Sequence, residues 1–149
     1  MPRRGRLGED AGPRPSGAAG PGDPIEVSPV TSASPAMQKA NLDAVTPDVH
    51  GLISKQTAHL DGLDVTRVRF DTGARWSNDL KSYAGTHSCE LPHVGLVLSG
   101  RLHVVMDDGG EEEFGPNEVM MLPPGHDAWS VGDEACVFVE FSRGNDYYG

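Results

Sequence analysis

From residue 37 onward, apolar and polar side chains alternate in short runs. Leu102, Val104 and Met106 fall opposite Arg101, His103 and Val105, and Val137, Val139 and Phe141 fall opposite Cys136, Phe138 and Glu140. Successive side chains of an extended chain point to opposite faces, so this period of two predicts strands, and little sustained 3.6-residue periodicity competes with it. The apolar runs between turn residues predict strands over 51–55, 63–70, 76–81, 93–98, 101–106, 111–114, 118–122, 128–131 and 136–142. Turn chemistry agrees: Ser99-Gly100 predicts a tight hairpin, Asp107-Asp108-Gly109-Gly110 a second one, and Pro123-Pro124-Gly125 a stiff corner. Many short strands without an internal repeat predict an all-β sandwich or closed barrel.

Composition sets where this domain begins. The first 36 residues hold 6 of the 19 glycines and 7 of the 12 prolines with almost no large apolar side chain. Such a stretch cannot bury enough surface to fold, which predicts a disordered extension over 1–36 and one domain over 37–149. An upstream start chosen in place of Met37 is the other reading of the same residues. The charges of the stretch cancel, so the formal net charge of -10 belongs to the domain. An acidic surface repels phosphate backbones and anionic headgroups, and this excludes nucleic acid and membrane surfaces as expected partners. No apolar run approaches the roughly 18 residues of a membrane span, and Arg3-Arg4 lack the apolar segment of an export signal. Two cysteines, Cys89 and Cys136, are too few for a disulfide scaffold and read as reduced thiols of a cytoplasmic protein.

The densest run of ligand-type side chains is Thr86-His87-Ser88-Cys89-Glu90-Leu91-Pro92-His93. His87-x-Cys89, three residues, His93, six residues, Gly100 resembles the first motif of the cupin superfamily, GxxxxxHxH, three or four residues, Glu, six residues, Gly. Here Cys89 replaces the second histidine and His93 the glutamate. Pro123-Pro124-Gly125 resembles the core of the second motif, GxxxxxPxGxxHxxxN, whose histidine position falls on Ala128, with His126 two residues earlier. The resemblance covers about residues 60–142 and is similar to small single-domain bacterial cupins of the type-2 kind. It implies a small jelly-roll β-barrel with a central small-molecule pocket. Residues at i and i+2 of a strand share a face, so His87 and Cys89 would converge with His93, and His126 would be a fourth metal ligand. A His/Cys donor set favours a divalent transition metal, Zn, Fe, Ni or Cu, over magnesium or calcium.

Trp76, Lys81 and Trp129 are the candidate wall of a ligand pocket, with core packing the competing role for the tryptophans and a solvated surface position for Lys81. Arg75 is a further cation for a ligand carboxylate. His103 alternates with the core-facing residues and is expected at the surface, His50 and His59 are expected in structural or solvent-facing positions, and Glu111-Glu112-Glu113 is expected on a solvent-facing edge. The expected function is a cupin barrel that binds a small organic molecule, with or without a divalent metal. A metal-dependent enzyme of the oxygenase or isomerase type and a metal-free structural or oligomer-forming barrel are the alternatives. Expected partners are a small-molecule ligand and, as an allowed assembly, a homodimer. Because 1–36 lacks apolar area, its removal is expected to change unfolding free energy by less than about 1 kcal/mol, as chemical denaturation of the full and shortened chains would measure.

Overall fold

The computed structural model describes residues 36–143, so the expected tail lies outside the described residues but for Ala36. After a single 3-10 turn at Leu42–Ala44, the chain forms β1 (Asp48–His50), β2 (Ile53–Leu60) and β3 (Leu63–Phe70). Leu60 pairs directly with Leu63 across a two-residue turn in which Gly62 takes φ +77°. That positive φ gives the turn the twist of the flanking strands. β2 extends beyond the expected 51–55 because Gln56–Leu60 pair in full register with β3; their polar alternation belongs to a strand with one face outside the core.

Two short helical turns follow, α1 (Trp76–Asp79) and α2 (Lys81–Ala84), where the sequence pattern predicts a strand over 76–81. Trp76 and Leu80 stand four residues apart and are both buried, a helical spacing too short to show as a period. Tertiary hydrogen bonds hold the turn: the Asp127 carboxylate accepts from Ser77 N–H at 3.0 Å and from its hydroxyl at 2.8 Å. The Asp79 carboxylate accepts from Leu52 N–H and Arg75 N–H, which ties the turn to the β1–β2 connection.

The remaining strands are β4 (His93–Ser99), β5 (Leu102–Met106), β6 (Glu111–Phe114), β7 (Val119–Leu122), β8 (His126–Ser130) and β9 (Cys136–Ser142). They complete a six-stranded sheet in the order β1-β2-β3-β9-β4-β7 and a three-stranded sheet in the order β6-β5-β8, with antiparallel pairing throughout. Core side chains come from both layers: Ile53, Phe70, Val97 and Phe138 from the larger, Leu102 and Val104 from the smaller. The acidic run Glu111-Glu112-Glu113 lies on β6, the outer strand of the smaller sheet.

The Ser99-Gly100 step is a corner, not the expected hairpin, because β4 and β5 belong to different sheets. Gly100 sits at φ +72°, and a Cβ there would lie 2.1 Å from the Ala135 carbonyl oxygen. Pro123-Pro124-Gly125 carries the chain between the layers in the same way, from β7 to β8. Gly100→Ala is therefore expected to combine positive-φ strain with a backbone clash and destabilise by about 3 kcal/mol or more, seen as a fall in Tm of about 10 °C or more.

Candidate metal centre

Cys89, His93 and His126 come from three separate segments. Cys89 lies in the connection between α2 and β4, which forms an isolated antiparallel bridge with the first residue of β8. Cys89 N–H donates to the His126 carbonyl at 2.8 Å, and Gly125 N–H donates to the Cys89 carbonyl at 2.7 Å. Residues paired across an antiparallel bridge project their side chains to one side, so the thiol and the His126 imidazole face the interior together. His93 is the first residue of β4 and shares the inward face with Gly95 and Val97. Gly95 is required for this arrangement, because a Cβ would stand 2.5 Å from the Val139 carbonyl oxygen of the neighbouring β9.

The ligand-type atoms of the three residues lie within 4.8 Å of one another. Cys89 Sγ is 3.4 Å from His93 Nε2, and the two imidazole rings meet edge to face with centroids 5.2 Å apart. His126 Nδ1 is 2.8 Å from the Pro123 carbonyl oxygen. A carbonyl only accepts, so Nδ1 carries the proton and Nε2 is left to face the centre. His93 Nδ1 donates to the Glu140 carboxylate, which likewise turns Nε2 inward. Glu140 follows Cys136 and Phe138 on the inward face of β9, and a carboxylate on a buried alternation is the signal that would have identified it in the sequence.

These contacts shift the ionisation of the group. Burial raises the Cys89 thiol, but hydrogen bonds and positive charge from His126 and His93 outweigh it and bring Cys89 down to about 6. Burial lowers His93, yet hydrogen bonds to Cys89 and Glu140, with their negative charge, lift it to about 10. Between these values the side chains hold a thiolate beside an imidazolium. Cys136 differs: burial and the charge of Glu134 push its thiol up to about 12.

The donor set fits a metal. A tetrahedral ion bonded to sulfur at about 2.3 Å and to imidazole nitrogen at about 2.05 Å separates the two ligand atoms by about 3.5 Å, close to the spacing of Sγ and His93 Nε2. The ion would take the place of the proton that the thiolate and imidazole share. Oxygen acceptors on both Nδ1 atoms provide the outer hydrogen bonds that orient histidine ligands.

Not every expected site residue joins this cluster. His87 is exposed, because 85–88 is a loop and the two-residue rule for a shared strand face does not apply to it. It borders a shallow surface cleft with Lys81, Ser77 and Asn78, which places Lys81 outside the interior cavity as well. Trp129 alternates outward on β8, stacking on His103 at 4.6 Å with the Arg75 guanidinium 4.3 Å from its ring centroid. Arg75 is held there by Asp127 at 2.9 Å. Trp76 does line the interior cavity, of about 310 Å³, with Phe70, Leu102, Phe138, Lys55 and the three ligand-type side chains. His103 pairs with Glu111, His59 with Asp64 and His50 with Asp48, each on the surface-facing side of the barrel or at its rim.

Two antiparallel layers joined by corners around an interior cavity, with a Cys/His/His cluster in its wall, define a cupin-fold barrel. Solved structures of the same fold include a cupin-superfamily sugar phosphate isomerase from Silicibacter pomeroyi DSS-3, at 19% identity and a TM-score of 0.53 over 70% of this chain and 74% of that one. The polyketide cyclase RemF from Streptomyces resistomycificus is similar at 19% identity and a TM-score of 0.54, over 76% of this chain and 88% of that one. An RmlC-like cupin from Shewanella frigidimarina NCIMB 400 matches at 18% identity and a TM-score of 0.52, over 75% and 96% of the respective chains. At these identities the likeness is one of fold. No family model matches the sequence, and no curated protein matches it either. No helix among the described residues is long and apolar enough to cross a membrane.

The ionisation pattern predicts a marked difference between the two thiols in metal-free protein. Cys89 lies in the cavity wall, so its alkylation by iodoacetamide is expected to rise with pH through a midpoint near 6, while Cys136 stays unmodified at neutral pH. Mass spectrometry of each cysteine across a pH series reads this directly. Equal labelling of both, or a Cys89 midpoint near the ordinary 9.0, would contradict the thiolate assignment.

Proposed function

We propose that this protein is a small-molecule-binding cupin barrel that holds a divalent transition metal on Cys89 Sγ, His93 Nε2 and His126 Nε2. The observation that carries this reading is the pair of occupied Nδ1 atoms: Glu140 and the Pro123 carbonyl leave each imidazole one free nitrogen, aimed toward the same sulfur. One thiolate and two imidazoles favour zinc, iron, nickel or copper over harder ions. A divalent ion held there supplies Lewis-acid polarisation of a ligand oxygen. Three protein ligands would leave such an ion free to take water or a ligand as well, which is the arrangement of reactive rather than structural sites.

The chain's own residues do the rest. Glu140 holds the Nδ1 proton of His93 and fixes its ring orientation, and Pro123 does the same for His126. Phe70, Trp76, Leu102 and Phe138 provide apolar walls that exclude water and select a ligand with an apolar body. A metal-dependent enzyme of the oxygenase or isomerase type is the second reading, favoured by the position of the donor cluster on the wall of a cavity. The formal charge of -10 disfavours nucleic acid as the partner.

Elemental analysis of protein purified after native expression tests the reading. Wild type is expected to carry about one transition-metal ion per chain, and His93→Ala and His126→Ala to retain less than about a tenth of it. Cys89→Ser is expected to weaken binding and move preference toward harder ions, while His87→Ala and His103→Ala keep the wild-type content. Affinity is expected to fall on acidification, because the ligands must shed protons to coordinate. A folded wild type that takes up no metal under loading, or equal content in wild type, His93→Ala and His126→Ala, would overturn the site.

A further inference from the structure

Among the described residues, one lysine faces the interior cavity without a counter-ion. Lys55 follows Ile53 on the inward alternation of β2, opposite Val68 of β3, and it lines the cavity that also contains Cys89, His93 and His126. None of the ion pairs among the described residues engages it. Its cross-strand neighbour on β1 is Asp48, whose carboxylate is 3.1 Å from His50 Nε2 instead. Lysine stems lie along apolar surface and keep the ammonium at a polar boundary, and the neighbouring wall here is Val68, Phe70 and Phe138. Packing accounts for the stem, but no ion pair among the described residues accounts for the ammonium.

The charges around the cavity supply it. With Cys89 as thiolate, Glu140 as carboxylate and both imidazoles neutral, a divalent ion leaves the ligand cluster without net charge. Lys55 then stands as the positive group facing the cavity, opposed by Glu90, which is exposed at the rim and bonded to the Ser88 hydroxyl. Apart from the ion's own ligand position, an anionic group on a ligand gains most at Lys55, since a charge-assisted hydrogen bond beside an apolar wall is stronger than one in water. A second anionic group on the same ligand would meet Glu90 and Glu140. The volume of about 310 Å³ lies at the small end of the range for organic ligands.

We infer that the cavity takes a compact monocarboxylate with an apolar body, its carboxylate on the Lys55 ammonium and its body against Phe70, Trp76 and Phe138. This assignment rests on the small-molecule pocket proposed above and deepens it by naming the ligand class. Neither Lys81 nor Arg75, the cations that the sequence pattern favours for this role, reaches the cavity: Lys81 borders the outer cleft and Arg75 lies over Trp129.

Calorimetric titration of the full chain with butyrate, benzoate and phenylacetate tests the inference, with phenylacetamide and phenylmalonate as the neutral and doubly charged comparators. Metal content is measured on each sample, as purified and after chelation. Wild type is expected to bind at least one monocarboxylate in the millimolar range or tighter, and phenylacetate or its best-bound relative at least about tenfold more tightly than either comparator. Lys55→Met keeps the apolar stem and is expected to lose about tenfold or more in that affinity, with metal content and Tm unchanged. Lys55→Arg is expected to stay within a few-fold of wild type. Failure of wild type to bind any of the three acids, equal affinity for phenylacetate and phenylacetamide, or undiminished affinity in a folded Lys55→Met would each overturn the carboxylate assignment. Phenylmalonate bound as tightly as phenylacetate would overturn the single-charge part. A protein that prefers carboxylates through Lys55 but takes no metal would overturn the metal reading and leave this one standing, so the two failures are distinguishable.

Discussion

The backbone pairing of Cys89 with His126 is the constraint on which the site depends. Two short hydrogen bonds, Cys89 N–H to the His126 carbonyl and Gly125 N–H to the Cys89 carbonyl, fasten the loop after α2 against the start of β8. They satisfy polar groups that would otherwise be buried without partners, and in doing so they place a thiol beside an imidazole. β4 then brings in His93 from the larger sheet, so the cluster joins the two layers at the end of the barrel where the corner at Pro123-Pro124-Gly125 turns. Without the bridge, Cys89 would belong to a surface loop, as His87 does two residues earlier.

Placing a thiol, two imidazoles and a carboxylate on the wall of an apolar cavity carries a desolvation cost, and the arrangement offsets it by pairing each group. Glu140 bonds His93, His93 bonds Cys89, and His126 bonds the Pro123 carbonyl. The opposite movements of Cys89, down to about 6, and of His93, up to about 10, are the electrostatic trace of that chain. The same pairing would suit the nitrogens and sulfur to a metal, since each imidazole is already oriented through its far nitrogen. Lys55 stands apart from this chain on the opposite strand pair, which separates a cation for an anionic ligand from the donors for an ion. The outer face of the smaller sheet follows a different logic: Arg75, Trp129 and His103 stack in succession there, with Asp127 and Glu111 at the two ends. That ladder covers β8 on its solvent side and holds α1 against it.

Much of the barrel is legible from local pattern. Alternation along 102–106 and 136–142 identifies the strands whose inward residues form the core, and the Asp107–Gly110 turn is a hairpin between β5 and β6 because Met106 N–H bonds the Gly110 carbonyl. Corners are not legible in the same way. Ser99-Gly100 has the composition of a hairpin, yet whether consecutive strands pair or part into two sheets depends on what waits on each side, here Ala135 packed against Gly100. The helical turn at Trp76–Asp79 is similarly set by Asp127, fifty residues distant from Ser77 in the chain.

For the site, the sequence by itself supplied the ligand-type side chains: a cysteine and histidines near the strand that begins at His93, and a histidine after the Pro-Pro-Gly corner. Alternation puts Glu140 on the face of Cys136 and Phe138, and Lys55 on the face of Ile53, although strand parity does not say which face is inward or which inward positions face packed side chains and which face open space. Only the tertiary structure decided that. It brought His126 into the cluster through a bridge to Cys89, set Trp129 and Lys81 on outer surfaces, and left His87 exposed on a loop. The physical reason is that backbone geometry assigns a residue to one face of its own strand over a few ångströms. Convergence of side chains from β4, β8, β9 and a loop requires the layers to close, and closure depends on long-range pairing.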